Sequence, residues 1–518
     1  MDQLRVVVAL LILVTALAGV ARKLHVPDPI ALVLSGLIIG VLPGFRPDVQ
    51  LDPNIVFVVF LPPILFAAGY FTSIRDFKAY FQKILLLSIG LVIFTALIVA
   101  LVLRALVPEL PFGAAFALGA IVAPTDAVAA TAVFRRLGVP RGIVTILEGE
   151  SLLNDATALV LFRTAVIAVT GSVSLGEVGI DFVTLAVGGV VVGLVFGWLA
   201  SLILRRIDDA VLGIVLTLLI PAAAYLVSES LHVSGVLATV VAGLYAGHAS
   251  NWSLNSAQRV AGEATWSVVL FLLNGVVFIL IGLQLPSILA DLDQPAGELI
   301  GVAVAVSLTV IVTRIVWVYP AMYLPWVIAR VRGRAHPPPD AAALTVVAWA
   351  GMRGVVSLAA ALTLPLDFPG RSLILFLTFA VILATLVVQG LTLAPLIRAV
   401  GVVADGGTDD EEREARRTAT ESAVQAIGEL EKQWPDHRPL VDQLRTQYEH
   451  RLEHIEVDGQ GPRNEAEQEL LEHRLIRRAV IDAERTAILR LRDDGTIGDE
   501  AMRRIERDLD LEELRLEA

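Results

Sequence analysis

Long apolar stretches dominate the first four hundred residues and decide what this chain can fold into. A helix needs about 20 mostly apolar residues to cross the hydrocarbon core of a bilayer. Of the 518 residues, 56% are hydrophobic and only 18% are charged, and the mean hydropathy is +0.73. A soluble core cannot bury that much apolar surface. The sequence therefore predicts an all-α, polytopic membrane protein.

Thirteen stretches are long and apolar enough to count as predicted spans, although the second is short. Two of them are interrupted by proline or glycine, so broken helices are expected inside the membrane. The spans lie near residues 4–24, 29–44, 54–71, 84–107, 111–134, 141–171, 178–204, 210–228, 231–249, 264–286, 298–329, 341–366 and 371–400.

The basic residues of the loops predict an orientation, because Lys and Arg collect on the cytoplasmic side. With thirteen spans and the N-terminus outside, fifteen basic loop residues fall on one side and four on the other. The basic pair Arg22 and Lys23 follows the first apolar run instead of preceding it, which favours a spanning helix over a signal peptide. We expect an outside N-terminus and a cytoplasmic C-terminus.

The composition changes near residue 404. Residues 1–400 carry 22 Lys and Arg against 21 Asp and Glu, whereas residues 401–518 carry 18 against 31. We predict a transmembrane domain over 1–403 and a cytoplasmic tail of amphipathic helices over 404–518. A solvated appendage and a regulatory or dimer-stabilising tail both remain open. In the tail, apolar residues recur at helical spacing, namely Ile476, Val480, Ala483, Ala487 and Leu491.

Ionisable residues inside the spans are candidate functional groups, because each costs at least a few kcal/mol to bury in the membrane. With no cysteine in the chain, disulfides and thiolate sites are excluded. The chemistry must rest on oxygen ligands and basic groups. The ionisable residues well inside the spans are Asp126, Glu148, Glu150, Asp155, Arg163, Arg314 and Arg353.

Asp126 lies in the segment GAIVAPTDAVAA. Pro124 removes a backbone donor in mid-span and disfavours helical geometry at the residue before it. Such a break is tolerated where the backbone lines a cavity or is buried in protein. The freed carbonyls, the Thr125 hydroxyl and the Asp126 carboxylate are hard oxygen ligands that suit an alkali cation. A simple proline kink with a satisfied aspartate is the alternative.

The sixth span, LEGESLLNDATALVLF, presents two polar faces. At 100° per residue, Glu148, Ser151 and Asp155 share one face, and Glu150 and Asn154 share another. The first face offers a carboxylate and a hydroxyl to a cation, and the second offers an acid and an amide to a partner helix. Glu148 lies about 10 Å nearer the cytoplasm than Asp155 and is a possible acid at the mouth of a funnel.

Arg353 lies in AWAGMRGVVSLAAAL between Gly351 and Gly354, which weaken the helix and allow close approach. A buried guanidinium needs a carboxylate, and Glu150 is the best placed by depth. We expect a Glu150–Arg353 ion pair, either as a structural clamp or as part of a transport site. For Arg314 and Arg163 we expect pairing or snorkelling.

The segments APTDA, GESLLND, GMRGVVSLA and FLPPILFAAGY together resemble the sodium/proton exchanger family, on the branch whose ion-binding helix carries Asn-Asp. The resemblance covers essentially all of residues 1–400, and the tail looks like that of bacterial members. One departure is Ala127, where many members have proline after Thr-Asp. Here the proline precedes at Pro124, which bears on the shape of the break.

The resemblance implies a role for each matching residue. The cation, sodium first with lithium or potassium as alternatives, would be held by Asp155, Asp126, Thr125 and Ser151, with Asp155 also taking the proton. The network bracing the two helices would consist of Glu150, Asn154 and Arg353.

The resemblance also implies an architecture and an activity. We expect a homodimer with a scaffold and an ion-binding core, and two inverted repeats whose breaks meet at the midplane. The activity would be exchange of a monovalent cation for protons, serving pH and sodium homeostasis in a bacterial inner membrane. A single titrating carboxylate predicts one proton per cation. We expect a transporter rather than an enzyme, no cofactor and no nucleic-acid partner, only membrane lipid, the two ions and a second copy.

Other function classes fit the residues less well. An intramembrane aspartyl protease could use Asp126 and Asp155, but GESLLND and Arg353 would then have no role. A regulatory ATPase is excluded, since no Gly-x-x-x-x-Gly-Lys motif occurs. A gated cation channel stays open, and obligatory proton counterflow would separate it from an exchanger.

Overall fold

A computed structural model describes residues 2–24, 26–42, 55–170, 175–290, 292, 295–333, 338–402, 407–457, 478–491, 494, 496 and 499–517. In these ranges the regular secondary structure is helical and contains no strand, so the all-α prediction is confirmed. The chain divides into two compact units, Met1–Ala404 and Asp405–Ala518.

The first unit contains the helices that we number α1 to α18, and short π-helical turns at Val56–Phe60, Leu86–Leu91 and Thr385–Gln389 adjoin five of them. The helices are α1 Asp2–Leu24, α2 Asp28–Val41, α3 Leu61–Phe71, α4 Ile74–Leu85, α5 Val92–Leu106, α6 Phe112–Val122, α7 Ala127–Leu137, α8 Arg141–Thr170, α9 Leu175–Leu204, α10 Ala210–Ser230, α11 Gly235–Ser253, α12 Ser256–Leu283, α13 Leu285–Ala290, α14 Ala296–Val331, α15 Ala341–Trp349, α16 Val355–Leu362, α17 Arg371–Ala384 and α18 Gly390–Val400.

In each of the thirteen predicted spans, most of the residues that the structure describes are helical. Seven helical stretches in the described part of the chain are long and apolar enough to cross a membrane, and four shorter apolar helices accompany them. One short helix, α6, ends where its span is interrupted. The count of thirteen therefore stays a prediction, because length and hydropathy undercount a span that is broken.

Two spans are interrupted, and the prediction of broken helices is confirmed. The first gap, residues 123–126, separates α6 from α7, and the second, residues 350–354, separates α15 from α16. Pro124 supplies no backbone donor, and Asp126 starts α7 by accepting a hydrogen bond from the Val128 amide at 2.8 Å. Ala127 is the first residue of α7, so this helix begins without a proline there.

The helices of the first unit pack mainly within two groups. The scaffold group comprises α1 to α3 and α9 to α12, and the core group comprises α4 to α8 and α14 to α17. In the scaffold group α11 meets α3 and α9 at backbone distance, because a Cβ on Gly243 would collide with the Phe66 carbonyl and one on Gly193 with the Ala238 carbonyl. The core group contributes most of the largest apolar core.

The second unit is built from α19 Gly407–Gln433, a 3₁₀ turn Pro435–His437, α20 Arg438–Val457, a helix over 478–491 and a last helix Asp499–Glu517. Helices α19 and α20 pack together, and Arg445 donates a hydrogen bond to Glu431 at 2.6 Å. That hydrogen bond lowers the pKa of the Glu431 carboxyl.

The helix over 478–491 buries a different stripe from the one that its spacing predicts. Ile481 and Ile488 pack against Leu509 of the last helix. Val480 and Leu491, from the predicted stripe, are 54% and 42% exposed. Ile476 lies outside the described residues. The helix is amphipathic as predicted, but its packed face is rotated, because only the position of the partner helix selects between two apolar stripes.

We predict that a chain ending at residue 404 folds without the second unit. Among the residues that the structure describes, the interrupted helices and the buried charged side chains all lie in the first unit, which has its own apolar core. The purified truncation should elute as a single species in detergent and melt at the temperature of the full chain by tryptophan fluorescence. Aggregation of the truncated chain would contradict the prediction.

Candidate ion-binding site

The two interrupted helices touch at their gaps. The Asp126 amide donates a hydrogen bond to the Met352 carbonyl at 2.8 Å. Gly354 lies directly against the Asp126 carboxylate, and an added Cβ would collide with it. The start of α16 therefore faces a carboxylate, and the positive end of a helix dipole favours a negative charge at that place.

Helix α8 satisfies the polar groups of the first gap. The Thr125 hydroxyl donates to Glu150 Oε1 at 2.9 Å. Asn154 Nδ2 donates both to the Thr125 hydroxyl at 2.9 Å and to the Thr125 carbonyl at 3.1 Å. The Ala127 amide donates to Ser151 Oγ at 3.4 Å. Side chains of one continuous helix thus replace the hydrogen bonds that Pro124 interrupts.

Glu150 forms a buried, bidentate ion pair with Arg314. The guanidinium NH1 and NH2 atoms lie 2.5 and 2.9 Å from the two carboxylate oxygens, and both side chains are 1% exposed. Arg314 also donates to the Val347 carbonyl through Nε at 3.2 Å and NH2 at 3.0 Å. One arginine of α14 therefore joins α8 to α15.

The predicted Glu150–Arg353 pair is wrong. Arg353 is fully buried, its amide donates to Thr385 Oγ1 at 3.1 Å, and its guanidinium makes no hydrogen bond within the described ranges. Gly351 leaves the space that Arg314 occupies, since a Cβ there would collide with Arg314 Cδ. Depth along the membrane selected Arg353, but the direction in which each helix faces decides the partner.

Arg314 is the site residue whose importance the sequence analysis underrated. The sequence predicts an ionisable group inside a long apolar span, with pairing or snorkelling as its two expected outcomes. Its complete burial excludes snorkelling. The one available signal was its mid-span position, which favours a buried carboxylate partner.

A cavity of about 390 Å³, which we call the ion cavity, lies beside α8. Glu148, Ser151 and Asp155 line it, whereas Glu150 and Asn154 do not. The prediction of two polar faces on this helix is therefore confirmed. The remaining candidate ligands, Thr125 and Asp126 of the first gap, also line the cavity.

Asp155 is the carboxylate without a protein partner in this cavity. Its side chain is 6% exposed and makes no hydrogen bond or ion pair to any residue that the structure describes. Asp126, in contrast, caps α7. A buried carboxylate is costly unless a cation, a proton or hydrogen-bond donors compensate it. Asp155 can therefore bind either a proton or a small cation.

A second cavity of about 300 Å³ lies on another face of α8. Leu153 and Ala156 line it from α8, and the scaffold helices α9 and α11 supply its far wall, for example Ala186 and Leu237. Its lining is almost wholly apolar. The ion-cavity face and the apolar face of α8 thus both border open space toward the scaffold group.

No cluster of three or more His, Cys, Asp or Glu side chains that could hold a metal ion occurs in the part of the chain that the structure describes. The acidic side chains of the cavity are accompanied by hydroxyl and carbonyl oxygens instead. Such neutral oxygen ligands suit hard, weakly bound cations.

Residues 8–399 match the family described as "Sodium/hydrogen exchanger, transmembrane". The chain belongs to this family. An uncharacterized Na(+)/H(+) exchanger of Mycobacterium tuberculosis is 36% identical, over 99% of this chain and 96% of its own length. The sodium, potassium, lithium and rubidium/H(+) antiporter of Bacillus subtilis is 30% identical, over 95% of this chain and 75% of its own length.

The fold is also similar to a solved structure. The sodium proton antiporter MjNhaP1 from Methanocaldococcus jannaschii superposes with a TM-score of 0.61 at 22% identity, covering 77% of this chain and 99% of its own. At that identity the likeness concerns the fold alone. The family establishes a multi-pass membrane protein and a cation/proton antiporter, which is a transporter rather than an enzyme.

We predict that Glu150 and Arg314 are energetically coupled. Glu150→Gln or Arg314→Met alone should lower the free energy of unfolding by about 3–5 kcal/mol, because each leaves a buried unpaired charge. The double variant should recover part of that loss in a thermal unfolding cycle.

The control is the Arg163–Glu229 pair, whose atoms lie 3.5 Å apart and whose side chains are 54% and 38% exposed. Breaking it should cost no more than about 1 kcal/mol. Strictly additive losses for Glu150 and Arg314 would show that they are not partners.

We also predict that Gly354→Ala disrupts the contact between the gaps. The new methyl group must displace the Asp126 carboxylate, so sodium-dependent proton flux in vesicles should fall sharply. Gly301→Ala is the matched control, because nothing lies within 4 Å of a Cβ there. Alanine is the better helix former at such a position. Equal activity of the two variants would contradict the assigned role of Gly354.

Proposed function

We propose that this chain is a sodium/proton antiporter in which one cation and one proton compete for Asp155. The observation that carries the proposal is the buried Asp155 carboxylate, which has no partner among the described residues. It lines the ion cavity together with Ser151 and Asp126. Deprotonated Asp155 binds the cation. Protonated Asp155 releases it, because the charge that attracted the cation is gone.

The cation ligands that we propose are oxygen atoms around this cavity. Asp155 and Asp126 supply carboxylates and Ser151 supplies a hydroxyl. Thr125 already donates its proton to Glu150 and accepts from Asn154, so one lone pair of its hydroxyl oxygen remains for an ion. The preferred cation is sodium, with lithium or potassium as alternatives. The Bacillus subtilis relative is named for sodium, potassium, lithium and rubidium exchange, which favours testing all three cations.

An electroneutral exchange of one proton per cation follows from the pairing of charges. Arg314, in place of the expected Arg353, neutralises Glu150, and Asn154 carries no charge. Asp155 is then the group whose charge alternates between the two loaded forms. Exchange rates should be the same with and without a membrane potential set by potassium and valinomycin.

Movement of the core group against the scaffold group provides alternating access in our proposal. Close backbone contacts hold α11 against α3 and α9, so the scaffold moves as one body. Cavities border α8 on two faces, and few contacts need to break when this helix shifts. The shift would occur when the Asp155 charge is compensated by a proton or a cation.

The cellular setting completes the proposal. We place the protein as a homodimer in a bacterial plasma membrane, with its N-terminus outside and its tail in the cytoplasm, where it serves pH and sodium homeostasis without a cofactor. The excess of basic residues in alternate loops supports the orientation, and the bacterial relatives support the membrane.

We predict that Asp155→Asn abolishes exchange without unfolding the protein. The asparagine amide has the same shape as the aspartate carboxylate, but it does not titrate and cannot carry the proton. Sodium-dependent proton flux should be measured in vesicles from about pH 6 to 9. Apparent sodium affinity of the wild type should fall by up to about tenfold per pH unit below the pKa of Asp155. Asp181→Asn, an exposed carboxylate in α9, is the control and should exchange normally.

Two outcomes would overturn the shared-site proposal. One is exchange that survives in Asp155→Asn, which would place the ion elsewhere. The other is sodium affinity that is flat over the whole pH range, which would separate the proton site from the cation site. Cation flux without proton counterflow would indicate a channel.

A further inference from the structure

The ion cavity has two walls of different chemistry. The core group supplies the carboxylates and hydroxyls already described. The scaffold group supplies an apolar wall, exemplified by Leu65, Phe71 and Leu270. The exception in the described lining is Asn274 of α12, one helical turn after Leu270. A polar amide is thus placed across the cavity from the proposed ligands.

Ser357 is a polar residue of the core wall to which the sequence analysis gave no role. It lies in the first turn of α16, directly after the second gap, and is 1% exposed. Its hydroxyl makes no hydrogen bond to any described residue. A buried hydroxyl without a partner costs about 1–3 kcal/mol and therefore needs an explanation.

The second gap explains why Ser357 lacks a local partner. Many hydroxyls in continuous helices bond the carbonyl four residues earlier, as Thr157 does to Leu153 at 3.2 Å and Ser228 to Ala224 at 2.7 Å. The corresponding carbonyl for Ser357 belongs to Arg353, which lies in the gap rather than in the helix. The hydroxyl is therefore left without a partner in its own helix, at a residue that lines the ion cavity.

Other buried hydroxyls do not share this position. Ser88 and Thr378 are also fully buried and without hydrogen bonds among the described residues, but neither lines the ion cavity. Ser357 combines both properties. Asn274 is half-buried and lines the same cavity, and its side chain makes no hydrogen bond to a described residue.

The position of Asn274 is set by the scaffold. Its neighbour Gly275 packs against Val14 of α1, where a Cβ would collide with the valine side chain. Farther along α12, Gly282 meets the backbone of α2 in the same way. In the proposed movement of the core group, Asn274 would therefore stay with the scaffold group, whereas Ser357 would move with α16.

We propose that Ser357 and Asn274 complete the cation site, with the Ser357 hydroxyl as an oxygen ligand from α16 and the Asn274 amide oxygen as the scaffold's contact to the bound cation. This inference rests on the proposed sodium/proton exchange. A dehydrated alkali cation needs oxygen atoms on every side to replace its water shell. Ser151 and the two aspartates approach from α8 and the first gap, and Ser357 and Asn274 approach from the remaining helices of the cavity.

The test measures sodium-, lithium- and potassium-dependent proton flux in proteoliposomes for Ser357→Ala and Asn274→Leu. Each variant should raise the KM for sodium by about tenfold, the effect expected for the loss of one polar ligand. The maximal rate should change little, and the preference among the three cations should shift. Ser88→Ala and Ser267→Ala are the matched controls, since they remove hydroxyls outside the cavity.

The pH dependence separates a ligand from a merely structural residue. Neither side chain titrates, so the plot of log KM against pH should move upward in parallel with that of the wild type. Melting temperatures are recorded for every variant. If Ser357→Ala does not fold, the KM of Asn274→Leu decides the proposal.

The outcomes distinguish this inference from the function on which it rests. A wild type without sodium-driven proton flux would refute the proposed function itself. A wild type that exchanges, with KM values and cation preference of both cavity variants equal to those of the controls, would refute the roles of Ser357 and Asn274 alone.

Discussion

Glu150 accepts hydrogen bonds from two directions inside the membrane domain, and the rest of the site depends on it. Arg314 binds both of its oxygens, and Thr125 donates to one of them. Arg314 in turn holds the Val347 carbonyl just before the second gap. One buried carboxylate thus connects α8, the first gap, α14 and α15. Without its charge, the arginine would be buried and unpaired, which is among the most destabilising arrangements in a protein interior.

The contact between the gaps solves the backbone problem that a broken helix creates in lipid. Every freed amide or carbonyl needs a partner where water is scarce. The Asp126 amide finds the Met352 carbonyl, and the Thr125 carbonyl finds Asn154. Gly354 permits this contact because it has no side chain to hold the chains apart. The broken segments are consequently fixed, and they present oxygen atoms at one place in the membrane.

Paired and unpaired charges have different tasks in this arrangement. Glu150 and Arg314 neutralise each other and brace the helices, whereas Asp155 on the cavity face of the same helix lacks a protein partner among the described residues. A carboxylate of that kind can exchange a proton for a cation with no rearrangement of the bracing pair. The spacing of one helix, four residues from Ser151 to Asp155 and four from Glu150 to Asn154, keeps the two tasks on separate faces.

The sequence by itself determined the helical class, the two interrupted spans and the separation of polar residues on α8. These features follow from hydropathy, from the missing donor of Pro124 and from helical periodicity, which are all properties of residues close together in the chain. The choice of Arg314 over Arg353 as the partner of Glu150 was decided only by the tertiary structure. So were the packed stripe of the helix over 478–491 and the place of Ser357 in the cavity wall. Depth in a membrane can be counted along a helix, but the direction that each helix faces depends on its neighbours. Pairing between distant segments is therefore set by packing.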